Sequence, residues 1–215
     1  AGTDYYATTS YNYEYKSCKT VPTAPNNITI DDRTSTSTIF KWNSTSLSTN
    51  TDGYELEIKN AKNKNIAKGS ATIYNSSISV TNKKLYTQPF QYRMRAYVII
   101  NGQKKYSNWS PMKKYIPGSV VKSIKRANRY ASSGKLKWNK IAGAKTYTVY
   151  WRTKAGGKWK VVAKNVKGTS ANVKFKPSAS FNYYYVKANK VKFGKKSYNS
   201  SADSKILDIY QIRKY

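Results

Sequence analysis

The sequence predicts an all-β chain of two tandem β-sandwiches behind a short leader. Three observations carry that reading. A set of motifs recurs at domain distance: Phe40-Lys41-Trp42-Asn43 returns as Leu136-Lys137-Trp138-Asn139, and Arg95-Ala96 as Lys187-Ala188. Gly102 with Tyr106 likewise returns as Gly194 with Tyr198. A spacing of about 95 residues is a whole domain and not a solenoid unit. Apolar and polar residues alternate in short runs, which is the period of a strand with one buried face. Turn signals such as Asn50-Thr51-Asp52-Gly53, Asn101-Gly102 and Gly156-Gly157 punctuate those runs.

Residues 1–20 precede the first repeat and have no counterpart inside it. Tyr11, Tyr13 and Tyr15 alternate as in a strand, so this segment reads as a linker or the last strand of an upstream domain. No signal peptide is visible, which suggests a mature or excised fragment. The first repeat, 21–117, opens at Val21-Pro22; the second, 118–215, opens after Ile116-Pro117. Proline ends strand pairing and stiffens each junction. Alternation then assigns the faces. Phe40 and Trp42 point inward, as do Tyr54, Leu56 and Ile58, and Tyr92, Met94, Ala96 and Val98. Their partners Lys41, Glu55, Glu57, Arg93, Arg95 and Tyr97 point outward. In the second repeat the inward sets are Leu136 and Trp138; Tyr147, Val149 and Trp151; Val173 and Phe175; and Tyr184, Val186 and Ala188. Asp31-Asp32 reads as the turn after the first strand. Each repeat is long enough to bury a core without metal or disulfide.

Both repeats resemble fibronectin type III domains. The likeness lies in Trp42, Tyr54 and Tyr92-Arg93-Met94-Arg95-Ala96, and again in Trp138, Tyr147 and Tyr184-Tyr185-Val186-Lys187-Ala188. Tyr106-Ser107-Asn108-Trp109-Ser110 is similar to the Trp-Ser element before strand G of that family. The approach to Tyr147 is similar to that of bacterial, Lys-rich members. The resemblance implies an immunoglobulin-like sandwich and places strands F and G side by side. Two departures stand out. Phe90 and Asn182 occupy the place, six before the strand-F alanine, where the family has the tyrosine that hydrogen-bonds back to the E–F turn. Trp109 has no partner in the second repeat, where Ser201 stands.

Composition narrows the function. Net charge is +31, from 40 basic and 9 acidic residues. The first 117 residues contain 16 basic and 7 acidic side chains; the remainder contain 24 and 2. The second repeat therefore dominates any field that attracts polyanions. Lys outnumbers Arg 33 to 7, which favours diffuse ammonium contact over bidentate readout. A/T-rich coding would also inflate Lys, Asn, Tyr and Ile, but would not by itself hold Glu to three copies. Histidine is absent and Cys18 is the sole cysteine. Ser-His-Asp and Cys-His nucleophiles are thus excluded within the chain, as are the usual zinc sites. No phosphate loop or dinucleotide fingerprint occurs. Glu55 and Glu57 sit two apart on one outward strand face, which reads as solvated and not as a glycosidase pair. The sequence calls for no catalytic residue, metal or cofactor.

Two surface constellations remain. Arg93 and Arg95 would flank Trp109 as a structural cation–π ladder. In the second repeat, Tyr150 and Arg152 on strand C, Tyr183, Tyr185 and Lys187 on strand F, and Trp159 and Lys160 on C′ would form a candidate polymer-binding face. Cross-strand stabilisation competes with that use of the same rings. The expected function is non-catalytic: an extracellular binding, adhesion or spacer module of a bacterial secreted or surface protein. Its expected partners are teichoic acid, acidic glycans or other anionic polymers, or another surface protein. Alternatives are accessory domains of a glycan-active enzyme and non-specific nucleic-acid contact.

Overall fold

The computed structural model describes residues 19–33, 37–43, 51–201 and 210–213. Tyr11, Tyr13, Tyr15 and Cys18 lie outside them. In the first repeat the chain runs through β1 (Asn26–Arg33), β2 (Thr38–Asn43), β3 (Gly53–Lys59), β4 (Asn65–Thr72) and β5 (Ser77–Val80). A one-turn helix, α1 (Lys84–Thr87), leads to β6 (Phe90–Ile100), β7 (Gln103–Tyr106) and β8 (Lys113–Tyr115). One sheet has the order β1-β2-β5; the other has β4-β3-β6-β7, with β8 also on β6. All pairings are antiparallel.

The second repeat follows the same plan. Its strands are β9 (Val121–Lys125), β10 (Ser133–Trp138), β11 (Thr146–Arg152), β12 (Lys160–Val166) and β13 (Ser170–Lys174). They continue as β14 (Phe181–Asn189), β15 (Val191–Phe193), β16 (Lys196–Tyr198) and β17 (Tyr210–Arg213). The sheets are β13-β10-β9 and β12-β11-β14-β17, with β15-β16 as a separate hairpin. The fold is all-β, with two sandwiches.

Each core is built from the inward rows of its two sheets. In the first, Phe40 and Trp42 of β2 meet Tyr54, Leu56 and Ile58 of β3 and Tyr92, Met94 and Ala96 of β6. In the second, Leu136 and Trp138 meet Tyr147, Val149, Tyr184, Val186 and Ala188. The tryptophan of one sheet touches the tyrosine of the other edge-on in both repeats: Trp42–Tyr54 at 5.2 Å and 60°, Trp138–Tyr147 at 5.6 Å and 62°. Trp151 is only half-buried; its indole N–H donates to Asn182 Oδ1 at 2.9 Å. At the β6–β7 turn both central residues, Asn101 and Gly102, have positive φ (52° and 74°), the type I′ geometry that suits a two-residue hairpin. The chain passes from one core to the other between Tyr115 and Ile116. Bonds across the junction include Ala142 N–H to Thr87 O at 2.7 Å and Lys114 Nζ to the Tyr198 hydroxyl at 3.1 Å.

One expectation is corrected. Asp31 and Asp32 do not form a turn; both lie within β1, at a register shift between Ile30 and Asp32. A bulge accommodates the extra residue without ending the strand. Asp31 faces Lys41 at 3.8 Å.

The missing corner tyrosine is replaced differently in each repeat. Asn182 is fully buried and reaches back six residues to Lys176, accepting from its N–H at 2.9 Å and donating to its C=O at 3.0 Å. Tyr184 adds a bond from its hydroxyl to Lys174 O, and burial pushes its phenol well above the ordinary value. In the first repeat, buried Arg33 donates to Leu85 O at 2.9 Å and lies over the rings of Tyr86 and Tyr115. A short buried amide and a guanidinium thus do the backbone-tethering work of a phenol.

Asn182→Ala would leave the Lys176 N–H and the Trp151 indole N–H without their acceptor in a closed space, while Lys176 O keeps the Ala179 N–H at 3.1 Å. The expected loss is about 2–4 kcal/mol in the second repeat, read as a lower urea midpoint at unchanged slope. A midpoint equal to that of the parent would show that the corner tolerates the loss.

Candidate functional site: outward faces of the two long sheets

In the first repeat the outward face of β3 and β6 carries a charge network set by register. Glu55 stands opposite Arg95, and Glu57 opposite Arg93. Arg95 Nη2 donates to Glu55 Oε2 at 2.8 Å and Arg93 Nε to Glu57 Oε2 at 2.7 Å. Lys104 Nζ and the Tyr106 hydroxyl both reach Glu55 Oε1, at 3.1 and 3.0 Å. Lys59 Nζ completes Glu57 at 3.0 Å. The guanidinium of Arg93 lies 4.4 Å from the Trp109 ring centre, and that of Arg95 lies 4.5 Å from it. Arg95 also covers Tyr106, at 3.5 Å. The stacking order is Tyr106, Arg95, Trp109, Arg93.

Serine spacing holds Trp109 in place. Ser107 and Ser110 each exchange two bonds with β6. The Ser107 N–H donates to Ala96 O and its hydroxyl accepts from Ala96 N–H, at 2.9 and 3.0 Å. Ser110 repeats this on Met94 at 2.8 and 3.0 Å. The loop between β7 and β8 therefore stays fastened to β6 where no strand continues, and the indole projects over both arginines. Ser200 makes the same exchange with Ala188 in the second repeat.

The solvated reading of Glu55 and Glu57 is corrected. Both are largely covered, with side chains 23% and 13% exposed, and both are paired. Burial by itself would raise their pKa values. Hydrogen bonds from Arg95, Lys104 and Tyr106 to Glu55, and from Lys59 and Arg93 to Glu57, outweigh burial and hold both below the ordinary 4.5. Glu55, Glu57 and Arg95 line a shallow groove of about 470 Å³ together with Lys68, Lys104 and Trp109.

In the second repeat Thr148 and Lys187 stand where Glu55 and Arg95 do in the first, and an aromatic pair takes the place of Glu57 and Arg93. Tyr150 stands opposite Tyr185, and Arg152 opposite Tyr183. Tyr150 and Tyr185 stack at 5.7 Å and 26°, and Trp159 leans on Tyr185 at 6.3 Å. Arg152 lies 4.2 Å from the Trp159 ring centre and 5.5 Å from that of Tyr183. Two residues that sequence reasoning missed extend the series. Phe181 packs on Tyr183 at 5.9 Å, and Arg213 covers Phe181 at 5.7 Å. Both arrive through the β14–β17 pairing Phe181↔Arg213; the motif at Tyr183 gave no hint of a partner thirty residues away.

Packing decides which of these groups meet solvent. Tyr185 is 2% exposed and Tyr183 9%. Tyr150, Trp159 and Arg152 are half-exposed, Lys187 is half-buried opposite Thr148, and Lys160 is exposed. Trp159 precedes β12 by one residue and lies in the β11–β12 loop, not on the strand. The accessible part of this face is thus its β11–β12 end.

No protein-family model and no curated protein sequence matches the chain. Among solved structures it is similar to a two-domain fibronectin type III segment from chicken tenascin, at 16% identity and a TM-score of 0.39, covering 88% of this chain and 99% of that one. It is also similar to the FN1–FN3 domains of chicken CNTN1, at 15% identity and a TM-score of 0.38, covering 90% and 67%. The likeness concerns the fold alone.

Two outcomes are expected for the first-repeat network. The Glu55→Gln/Glu57→Gln variant should be less stable than the parent at neutral pH. Because the folded carboxyl pKa values are depressed, that difference is complete above the unfolded values, near 4.5, and disappears as pH falls through the folded ones. Parallel melting curves across pH 2–7, about four midpoints in all, would register it; a gap independent of pH would contradict it. Trp109→Ala should lower first-repeat stability by about 2 kcal/mol, from two lost guanidinium–indole contacts. An unchanged melting temperature would remove the ladder from the account.

Proposed function

We propose that the chain is a non-catalytic, extracellular binding and spacing module whose second repeat contacts anionic polymers. One observation carries this reading: residues 118–201 contain no Asp or Glu at all, against 21 Lys and Arg. The two repeats handle charge in opposite ways at matching places. On the β1-β2-β5 sheet, Lys41 has Asp31 beside it. On the β13-β10-β9 sheet, Lys135 stands directly opposite Lys125, and Lys137, two residues on, opposite Ser123. Like charges placed opposite each other weaken a sheet. A face of that kind is relieved by an external polyanion, and sequence drift restricted to one repeat is a poorer account of it.

Lysine ammonium groups are compact, strongly hydrated charges, so the contact is loose and salt-sensitive. Exposed pairs are screened over about 8 Å at physiological ionic strength. No helix among the described residues is long and apolar enough to cross a membrane.

The test compares two four-lysine variants of the full chain on an anionic polymer. Lys125, Lys135, Lys158 and Lys176→Gln should lower affinity by about tenfold or more at low salt. Lys62, Lys64, Lys68 and Lys83→Gln removes the same charge from the first repeat and should change it by less than about threefold. Equal losses would rule out a second-repeat interface.

A further inference from the structure

The loop between β11 and β12 encloses a cleft of about 290 Å³, lined by Trp151, Arg152, Lys154, Lys158, Lys160 and Lys176 with no carboxylate. Thr153 and Gly157 complete the lining, so five of its eight residues are cations. The loop is closed on itself by Gly157 N–H to Lys154 O at 3.0 Å and anchored by Arg152 Nη1 to Gly157 O at 3.3 Å. Arg152 is held in turn between the rings of Trp159 and Tyr183. Lys176 enters from the β13–β14 corner, where buried Asn182 grips both its N–H and its C=O. The same Asn182 accepts the Trp151 indole N–H. One buried amide therefore aligns the corner lysine with the strand that forms the opposite wall. Lys154, Lys158, Lys160 and Lys176 are exposed, and none of the ion pairs among the described residues involves them.

We propose that this cleft binds the phosphate groups of a linear phosphodiester polymer. The inference rests on the polyanion reading above and gives it a site and a ligand chemistry. A single carboxylate or a single phosphodiester group has one charge and two free oxygens, so ammonium groups approaching from the loop, the strand end and the corner call for several anionic groups on one flexible chain. The tetrahedral phosphate also turns its oxygens out of the one plane to which a carboxylate is confined. A phosphodiester chain presents charged, oxygen-rich groups at short intervals, so neighbouring groups engage the lysines together while Arg152 donates from a fixed plane. The volume accommodates a phosphate and its immediate linker. The half-exposed Trp159 at the rim supplies an apolar flank for that linker.

The probe is a poly(glycerol phosphate) oligomer titrated into the full chain at about 50 and 150 mM salt. Lys158→Gln/Lys176→Gln is expected to weaken binding about tenfold, with the melting temperature unchanged. Lys195→Gln/Lys196→Gln removes the same charge from the exposed β15–β16 hairpin of the same repeat, outside the cleft, and is expected to weaken it less than about threefold. Inorganic pyrophosphate should compete in the parent and lose that ability in the cleft variant. Equal losses from the two pairs would overturn the cleft while leaving second-repeat polyanion binding intact. Equally tight, equally cleft-dependent binding of dextran sulfate or polygalacturonate would overturn the phosphate assignment. A parent that binds none of these polymers would overturn both this inference and the reading beneath it.

Discussion

The edge-on contact between a tryptophan of one sheet and a tyrosine of the other is the constraint on which both sandwiches depend. Trp42 on Tyr54 and Trp138 on Tyr147 have nearly the same separation and angle, although few of their neighbours are identical. Such a pair adds about 0.5–1.5 kcal/mol beyond the area it buries. Its larger effect is geometric. It sets where β2 crosses β3, and β10 crosses β11, and every outward position on those strands inherits its direction from that crossing. The networks of Glu55, Arg95 and Trp109, and of Tyr150, Tyr185 and Arg152, stand one residue out of step with it.

Around this common centre the repeats meet identical backbone demands with different chemistry. The bend before the long central strand has to be tied back. Asn182 does this with an amide on Lys176, and Arg33 with a guanidinium on Leu85. The edge of the same strand needs partners where the next strand breaks off. Ser107 and Ser110 provide them in one repeat and Ser200 in the other. Buried backbone groups cost free energy whenever they are left alone, so the demand persists while the residue meeting it varies.

The outward faces diverged further because they answer to solvent as well as to packing. In the first repeat opposite charges face each other across β3 and β6, and stacked rings shield them from water. In the second, Tyr150 meets Tyr185 ring to ring, Lys187 faces Thr148 and Arg152 faces Tyr183, and further cations gather at the β11–β12 end as Lys154, Lys158, Lys160 and Lys176. An ion-pair lattice neutralises its own field. An aromatic pair leaves the field of the surrounding lysines uncompensated, in a stretch, 118–201, that has no Asp or Glu.

The fold was largely legible in the chain. Alternation of period two, proline junctions and the repeated Trp, Tyr and Ala positions identified both cores, because burial of alternate residues leaves a direct imprint on composition. The placing of Trp109 beside Arg93 and Arg95 was expected from the family resemblance, which sets strands F and G side by side; in the structure Trp109 reaches both arginines from the β7–β8 loop and not through strand register. The misreadings share one cause. Asp31-Asp32 looks like a turn because local propensity says so, and only pairing with β2 reveals the bulge. Glu55 and Glu57 look solvated because their partners are far along the chain. Phe181 and Arg213 join the second ladder, and Lys176 the cleft, through contacts that no local pattern encodes. The sequence by itself determined the inward rows of the two cores and how much charge each repeat bears, since the first follows from alternation along a strand and the second is a sum over residues. Only the tertiary structure decided which charges cancel and which converge, because that depends on distances between residues that are remote along the chain and adjacent in space.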